Sequence, residues 1–372
     1  MTAARVTPSS SLKTERGFTL VEVLVALAIT TVVMGSAMLA LSQATRAAET
    51  AKLMTNVNGG LRTAMDLIVR DMLQTGQGLP SGRVIQVPAG LNSQPIRLPG
   101  PPNTSYQVGG VTELTAIIPG PGLGPAVNGQ PTDMITTLQA DGAFDQVRLV
   151  ALPANGLGMN VDPSVDLDDG TADDLHPGDL IMLTKGSLSA LAQVTRVNGQ
   201  HVSFEPGDSL NLNQPNAEMG TVKWIRNAPP TTNPPGQFIS TTATRIRMIS
   251  YYIDATTDPQ RPRLVRRINN GHETAFDNSL GTTVAFNVEN LQITYDLANG
   301  VSNPANVRMV AADLNGSGAC SPDPCSPNQI RKLNVMLRAR SSARLTATQQ
   351  FFRNELTTQV SLRSMAFVDR YR

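Results

Sequence analysis

A single carboxylate lies inside an apolar run near the start of the chain. Residues 16–30 read RGFTLVEVLVALAIT, and Glu22 is the one charged residue between positions 18 and 41. An ionised carboxylate in hydrocarbon costs roughly 3 kcal/mol on insertion scales, so it needs a compensating contact. Two explanations are open: the side chain reaches the nearby membrane surface, or it pairs with a second charge inside the bilayer.

Two cysteines, Cys320 and Cys325, lie close together in GACSPDPCSP. In an oxidising compartment this spacing predicts a disulfide that closes a short loop. Free thiols and half of a metal site are the alternatives. The histidines His176, His201 and His272 lie far away in sequence, so we predict no metal at the cysteines.

An acidic segment, VDPSVDLDDGTADD (161–174), is a candidate cation site. Carboxylates at this density are typical of Ca²⁺ ligands. The spacing departs from the EF-hand loop, because Gly170 stands where a third ligand is expected and no Glu closes the loop. We favour a solvated acidic turn and keep calcium binding as the alternative. The six aspartates are Asp162, Asp166, Asp168, Asp169, Asp173 and Asp174.

Basic and aromatic residues lie close together in TRIRMISYYID (244–254), and RPRLVRR (261–267) adds four arginines. Arg245, Arg247, Tyr251 and Tyr252 together are a pattern that can contact DNA. Arginines on the solvent face of a hairpin explain the same letters. The net charge of +1 argues against broad electrostatic binding to nucleic acid or to an anionic membrane. DNA is therefore the less favoured partner.

Catalytic motifs are missing from the sequence. It contains no Gly-x-Ser-x-Gly elbow, no glycine-rich phosphate loop and no suggestive pairing of Cys with His. We predict that the chain is not an enzyme, has no cofactor and takes no small-molecule substrate.

The element that carries Glu22 is predicted to be a membrane-spanning helix. The apolar run 18–41 would be about 36 Å long as a helix, which is enough to cross a bilayer. It is too long for the apolar part of a signal peptide, and no small-residue cleavage site follows it. Arg5, Lys13 and Arg16 precede the run, so we expect a cytoplasmic N-terminus and an exported body.

The pattern past residue 41 becomes amphipathic and indicates that the same helix continues over 42–76. Apolar residues recur at steps of three and four until TGQGLP (75–80) ends the helix. We predict one helix of about 58 residues, roughly 87 Å long, whose apolar stripe packs on the protein's own sheet. The stripe consists of Met54, Val57, Leu61, Met65, Ile68 and Met72.

The remainder, 80–372, is predicted to be a β-rich exported domain. Charged residues make up only 16% of the chain, which also has 30 Gly and 26 Pro, as in a turn-rich body. One long helix followed by antiparallel strands gives the α+β class. The proline-rich stretch 229–236 suggests two sub-lobes, 80–228 and 237–372. Strand candidates are 111–118, 133–138, 145–152, 178–184, 191–197, 201–206, 221–226, 244–254, 262–268, 284–297, 330–341 and 357–364.

RGFTLVEVLVALAI resembles the processing and assembly segment of type IV prepilins and of type II secretion pseudopilins. The resemblance implies that residues 1–17 are a cytoplasmic leader. It implies that a membrane prepilin peptidase cleaves between Gly17 and Phe18 and N-methylates Phe18. It also implies that Glu22 supports assembly, with its carboxylate meeting the Phe18 amine of another subunit.

Later segments, in their order along the chain, resemble PilW-type minor pilins. The resemblance implies a subunit of a pilus priming or tip complex, acting with other minor and major pilins, an inner-membrane assembly platform and the lipid bilayer. Adhesion, twitching motility or DNA uptake would follow downstream. A minor pseudopilin of type II secretion is the alternative, and a tip adhesin or DNA-binding subunit is another. The segments are RDMLQTGQG, HPGDLIMLTKGSLSALAQVTRV, VENLQITYDL, IRKLNVMLRARS and TTQVSLRS.

Overall fold

The computed structural model describes residues 17–80, 84–101, 106–108, 111–167, 174–216, 218–229, 240–269, 281–298 and 327–367. It confirms the predicted α+β class, because one long helix precedes a body of antiparallel strands. Several predictions fall outside the described residues: the leader before Gly17, both cysteines (Cys320 and Cys325), and part of the acidic segment.

The long helix, α1, spans Leu20–Gln74, and its 55 residues make it about 82 Å long. Thr19 caps its start and Thr75 its end. Its N-terminal part is exposed throughout, whereas its C-terminal part packs on the body. The predicted apolar stripe is confirmed except for Met54, which is 37% exposed. The buried helix residues are Val57, Leu61, Ala64, Met65, Ile68, Asp71 and Met72.

Eighteen strands and one short helix, α2 (Val222–Asn227), follow in the described part of the chain. The strands are β1 Val84–Gln86, β2 Ile96–Arg97, β3 Gln107–Val108, β4 Glu113–Thr115, β5 Ile117–Val127, β6 Gln130–Ala140, β7 Val147–Ala151, β8 Gly158–Val161, β9 Leu180–Lys185, β10 Leu188–Gln193, β11 Arg196–Asn198, β12 His201–Ser203, β13 Thr242–Asp254, β14 Arg263–Ile268, β15 Thr282–Phe286, β16 Val288–Leu297, β17 Ile330–Arg344 and β18 Phe351–Ser361.

The largest sheet has 11 strands and is organised around β13. This strand pairs antiparallel with β6, β7, β9 and β14, so segments from both sides of residues 229–236 share one sheet. The suggested boundary between sub-lobes therefore does not coincide with a break in the sheet. A second sheet, in the order β16-β17-β18, lies against the long helix.

One strand prediction is wrong: 221–226 forms the helix α2. Thr221 Oγ1 accepts a hydrogen bond from the backbone N–H of Trp224 at 3.2 Å, which caps the helix start. Val222 and Ile225, three residues apart, are the buried pair. The apolar spacing of this short segment is compatible with one helical turn as well as with a strand. The hydrogen bond to Thr221 stabilises the helix start and favours the helix.

A second difference concerns β5, which continues past the predicted 111–118 through the segment PGPGLGP. Proline lacks an N–H and is tolerated at a sheet edge. β5 pairs with β6 alone, and its register shifts at Gly120 and again at Gly124. The prolines therefore lie where an edge strand can accept them.

Candidate functional site

Glu22 forms a capping box with Thr19 at the start of the long helix. Its Oε2 accepts hydrogen bonds from the Thr19 backbone N–H at 2.9 Å and from Thr19 Oγ1 at 3.1 Å. In return, Thr19 Oγ1 accepts from the Glu22 backbone N–H at 3.3 Å. These contacts satisfy backbone donors that the helix itself leaves without a partner.

The capping box gives Glu22 a role within its own chain, which our sequence analysis missed. The apolar run alone predicts a glutamate that reaches the membrane surface or pairs across subunits. The Thr-x-x-Glu spacing at positions 19–22, directly before an apolar run, is a capping-box signature and could have revealed it. Both hydrogen bonds from Thr19 are accepted by Oε2 of Glu22, so they leave Oε1 for another donor. Helix capping is therefore compatible with a role of Glu22 in assembly.

The backbone on the N-terminal side of this cap is open. Gly17 and Phe18 precede the helix, and a Cβ placed on Gly17 would meet nothing within 4 Å. Phe18 is 86% exposed. Among the described residues, no other part of the protein therefore covers the peptide bond between these two residues.

The apolar run of the helix is exposed along its whole length. Its large apolar side chains are 52–86% exposed. Soluble monomers rarely leave a continuous apolar surface of this size in water. The helix is long and apolar enough to cross a membrane, and it fits a single membrane-anchoring segment.

Asp71 connects the other half of the helix to the large sheet. Its Oδ2 accepts from Tyr251 Oη and from Arg266 Nε, each at 2.6 Å. The aspartate is only 3% exposed, and a buried charge is tolerated when it is paired and hydrogen-bonded. Burial, followed by the neighbouring Asp71 charge, raises the pKa of Tyr251, so the phenol stays a donor. The local sequence pattern does not single out Asp71, which directly precedes Met72, the last residue of the apolar stripe.

The four residues of the suggested DNA contact do not form an exposed patch. Tyr251 and Tyr252 are fully buried, and burial raises the pKa of Tyr252 to about 12. Arg245 is also buried and pairs with Asp141 at 2.9 Å. Arg247 is about half exposed and contacts the same carboxylate at 2.7 Å. Neither ring is available for stacking on a base.

The acidic segment is described only at its two ends. Asp162 Oδ1 accepts from the backbone N–H of Ser164 at 2.9 Å and from its hydroxyl at 2.7 Å, which is a local turn. Asp166 and Asp174 are also described, whereas Asp168, Asp169 and Asp173 lie outside the described residues. Within the described ranges, no group of three or more His, Cys, Asp or Glu is placed to hold a metal.

Comparison with known proteins gives one match. Residues 12–38 match the family model for the prokaryotic N-terminal methylation motif. No curated protein and no solved structure matches the chain. The matched segment includes Gly17, Phe18 and Glu22 and leads into the exposed helix. It implies processing by prepilin peptidase and a pilin assembly context, and together with the helix it supports a type IV prepilin-like protein.

Proposed function

We propose that this protein is a minor type IV pilin, similar to PilW-type subunits, which joins a priming or tip complex and initiates pilus assembly. One observation carries the proposal. A methylation motif at 12–38 continues directly into a helix that is exposed in its first half and forms the spine of a β-rich domain in its second half. The chain itself performs no catalysis in this role.

Maturation begins with cleavage of the Gly17–Phe18 peptide bond by prepilin peptidase, followed by N-methylation of Phe18. The new terminus carries a positive charge, and it lies one helical turn from Glu22. Capping contacts occupy Oε2 of that glutamate, so Oε1 can accept from the Phe18 amine of an axially displaced subunit. Two opposite charges in hydrocarbon offset much of each other's desolvation cost.

Assembly then depends on the exposed half of the helix. In the bilayer its apolar face contacts lipid, and in a filament the same face contacts the helices of other subunits. Lipid tails are as apolar as the side chains of the helix, so the hydrophobic effect does not drive helices together in a bilayer. They associate through close packing and polar contacts instead. The amine–carboxylate pair would add a defined axial register to this otherwise non-directional packing.

A minor pseudopilin of a type II secretion system is the second candidate, because the methylation motif suits both systems. The large body favours the pilus. The identity of the neighbouring genes would distinguish a pilus system from a secretion system. A DNA-binding tip subunit has less support, because Tyr251 and Tyr252 are buried.

Mass spectrometry of the N-terminus tests the proposal. Protein isolated from cells that have prepilin peptidase is expected to begin at an N-methylated Phe18. Protein from cells without the peptidase is expected to retain the leader. An intact leader in cells that have an active peptidase would exclude the pilin role.

A further inference from the structure

The hairpin formed by β17 and β18 extends beyond the third strand of its sheet. The pairing of β16 with β17 begins at Val288, which lies opposite Ala339. Past this point β17 and β18 continue as a two-stranded ribbon, paired at Arg340–Arg353 and Arg344–Phe351. We call residues 340–353 the finger.

The finger lies along the helix and points toward its apolar half. Next to its base, Asn354 Nδ2 donates to Asn58 Oδ1 at 2.7 Å. At its tip, Thr346 Oγ1 donates to Glu49 Oε2 at 2.9 Å. The helix rises about 14 Å between positions 58 and 49, so the finger follows it for about two and a half turns.

The tip lies close to the expected edge of the bilayer. Glu49 is about 12 Å along the helix from residue 41, where the apolar run ends. Headgroups extend roughly 5–8 Å beyond the hydrocarbon on each side. The tip is therefore within about 10 Å, one Debye length at moderate salt, of the headgroup layer.

Three cations lie on the two elements that meet at this tip. Arg46 and Lys52 are each three residues from Glu49 and thus lie on the same side of the helix, and both are exposed. Arg344 is exposed on the finger, where it donates to Gln349 O at 2.9 Å and lies 5.1 Å from the centre of the Phe351 ring. Both of these contacts are with uncharged groups.

We propose that Arg46, Lys52 and Arg344, which we call the collar, bind anionic phospholipid headgroups of the leaflet that faces the globular domain. Glu49 opposes them with one negative charge and is engaged by Thr346. The near-neutral charge of the whole chain does not conflict with this, because attraction to a charged surface decays within a Debye length and only nearby groups count. The contact would hold the body against the membrane until the helix leaves the bilayer.

The inference rests on the membrane span of the proposed function and is independent of whether the filament is a pilus or a secretion structure. A second copy of this chain is the competing occupant. The lipid is favoured because the collar continues directly from the apolar run, so every inserted copy places it near headgroups, whether or not other copies are present.

Hydrogen–deuterium exchange of the full-length protein in lipid nanodiscs tests the proposal. Finger amides are expected to exchange roughly fivefold more slowly with phosphatidylglycerol present than in phosphatidylcholine alone, the factor that one well-placed charge supplies. The difference should disappear in about 1 M NaCl, where the Debye length is about 3 Å. It should also disappear in the variant Arg46→Gln/Lys52→Gln/Arg344→Gln.

Arg226→Gln is the matched control. Arg226 is an exposed arginine on α2, next to the end of β9 that pairs with the first residues of β13. The opposite end of β13 leads to a turn in which the Gln260 carbonyl oxygen accepts a hydrogen bond from Arg340 of the finger. Arg226 and the finger are therefore at opposite ends of β13. This variant should keep the full lipid-dependent slowing. Unchanged exchange in β13 and β16, which lie outside the finger, verifies folding in all variants.

Equal exchange of the finger in the two lipids would overturn the proposal. Slowing that follows the number of copies per disc, and not the lipid charge, would assign the finger to contacts between copies and also overturn it. Failure of the protein to enter nanodiscs would instead remove the membrane span, and with it the proposed function.

Discussion

Asp71 on the long helix and Arg266 on β14 form an ion pair at 2.6 Å in the interior, with side chains 4% and 18% exposed. The two residues are 195 positions apart in the sequence. Tyr251 of β13 donates to the same carboxylate oxygen. The helix is therefore joined to the large sheet by a buried polar contact at the end remote from the membrane, in addition to its apolar stripe.

Removing the carboxylate should destabilise the protein strongly. We expect Asp71→Ala to lower the free energy of unfolding by about 3–5 kcal/mol, because it leaves the Arg266 guanidinium buried and without its counter-charge. Guanidinium denaturation in detergent, followed by Trp224 fluorescence, measures the change. Asp66→Ala is the control on an exposed position of the same helix, where a change within about 0.5 kcal/mol is expected. Equal stability of the two variants would contradict a structural role for the ion pair.

Tyr251→Phe isolates the phenol from the rest of the cluster. It removes one hydrogen bond to a charged acceptor and should cost about 1.5–3 kcal/mol of unfolding free energy. Combining Tyr251→Phe with Asp71→Ala should cost less than the sum of the single changes, since both delete the same contact. Strict additivity in the denaturation experiment would show that the hydroxyl does not depend on Asp71.

Asp254 should make stability sensitive to acid. Burial alone would raise the pKa of Asp254. Hydrogen bonds from the hydroxyls of Thr256 and Thr257 and from the Arg263 guanidinium outweigh this and hold the pKa of Asp254 well below its ordinary value. A lowered pKa in the folded state means that the stabilisation is complete above the unfolded value, about 3.9, and is lost as the pH falls below it.

Asp254→Asn is therefore expected to be less stable than the wild type at neutral pH, with a difference that shrinks below about pH 4. Thermal unfolding across this pH range measures the difference. Asp258→Asn, an exposed position in the same turn, should change stability little at any pH. If the difference in stability between Asp254→Asn and the wild type does not change with pH, titration of this carboxyl is excluded as its cause.

Variants at positions 19 and 22 separate helix capping from subunit pairing. Glutamine also serves at the third helical position of a capping box, so Glu22→Gln keeps the cap and removes the charge. We expect Glu22→Gln and Glu22→Ala to insert and be cleaved normally but to assemble poorly. Thr19→Ala, which loses the cap and keeps the carboxylate, should assemble. The amount of processed protein in sheared filaments measures assembly, and normal assembly of Glu22→Gln would rule out the charge pair.

Gly220 and Gly129 form a matched pair for steric and conformational effects. Both have a φ of +77°, but a Cβ on Gly220 would come within 2.2 Å of the Val87 backbone, and one on Gly129 would meet nothing within 4 Å. Gly129→Ala should cost about 1–2 kcal/mol from the left-handed backbone alone. Gly220→Ala should cost clearly more, because backbone atoms must move. Similar melting temperatures for the two variants would contradict this close approach.

The sequence by itself determined the features that depend on local spacing. The apolar run and the three- and four-residue periodicity predicted a single helix over 18–76, close to the observed Leu20–Gln74. Local capping chemistry at Thr19 and Glu22 was equally available from the spacing, although it was missed. Most strand positions also followed from their apolar patterns. Such signals are readable because helix periodicity, caps and turns involve residues within a few positions of one another.

Only the tertiary structure decided which polar residues lie inside. Asp71 could not be assigned to Arg266 and Tyr251 from the sequence, because the partners are 195 and 180 positions away. The tyrosines at 251 and 252 looked accessible beside arginines, yet both are buried where β13 crosses the large sheet. The placement of the finger beside Glu49 is likewise a long-range contact. Burial and pairing at such distances depend on how complete elements pack, and that packing is a property of the folded chain and not of any local stretch.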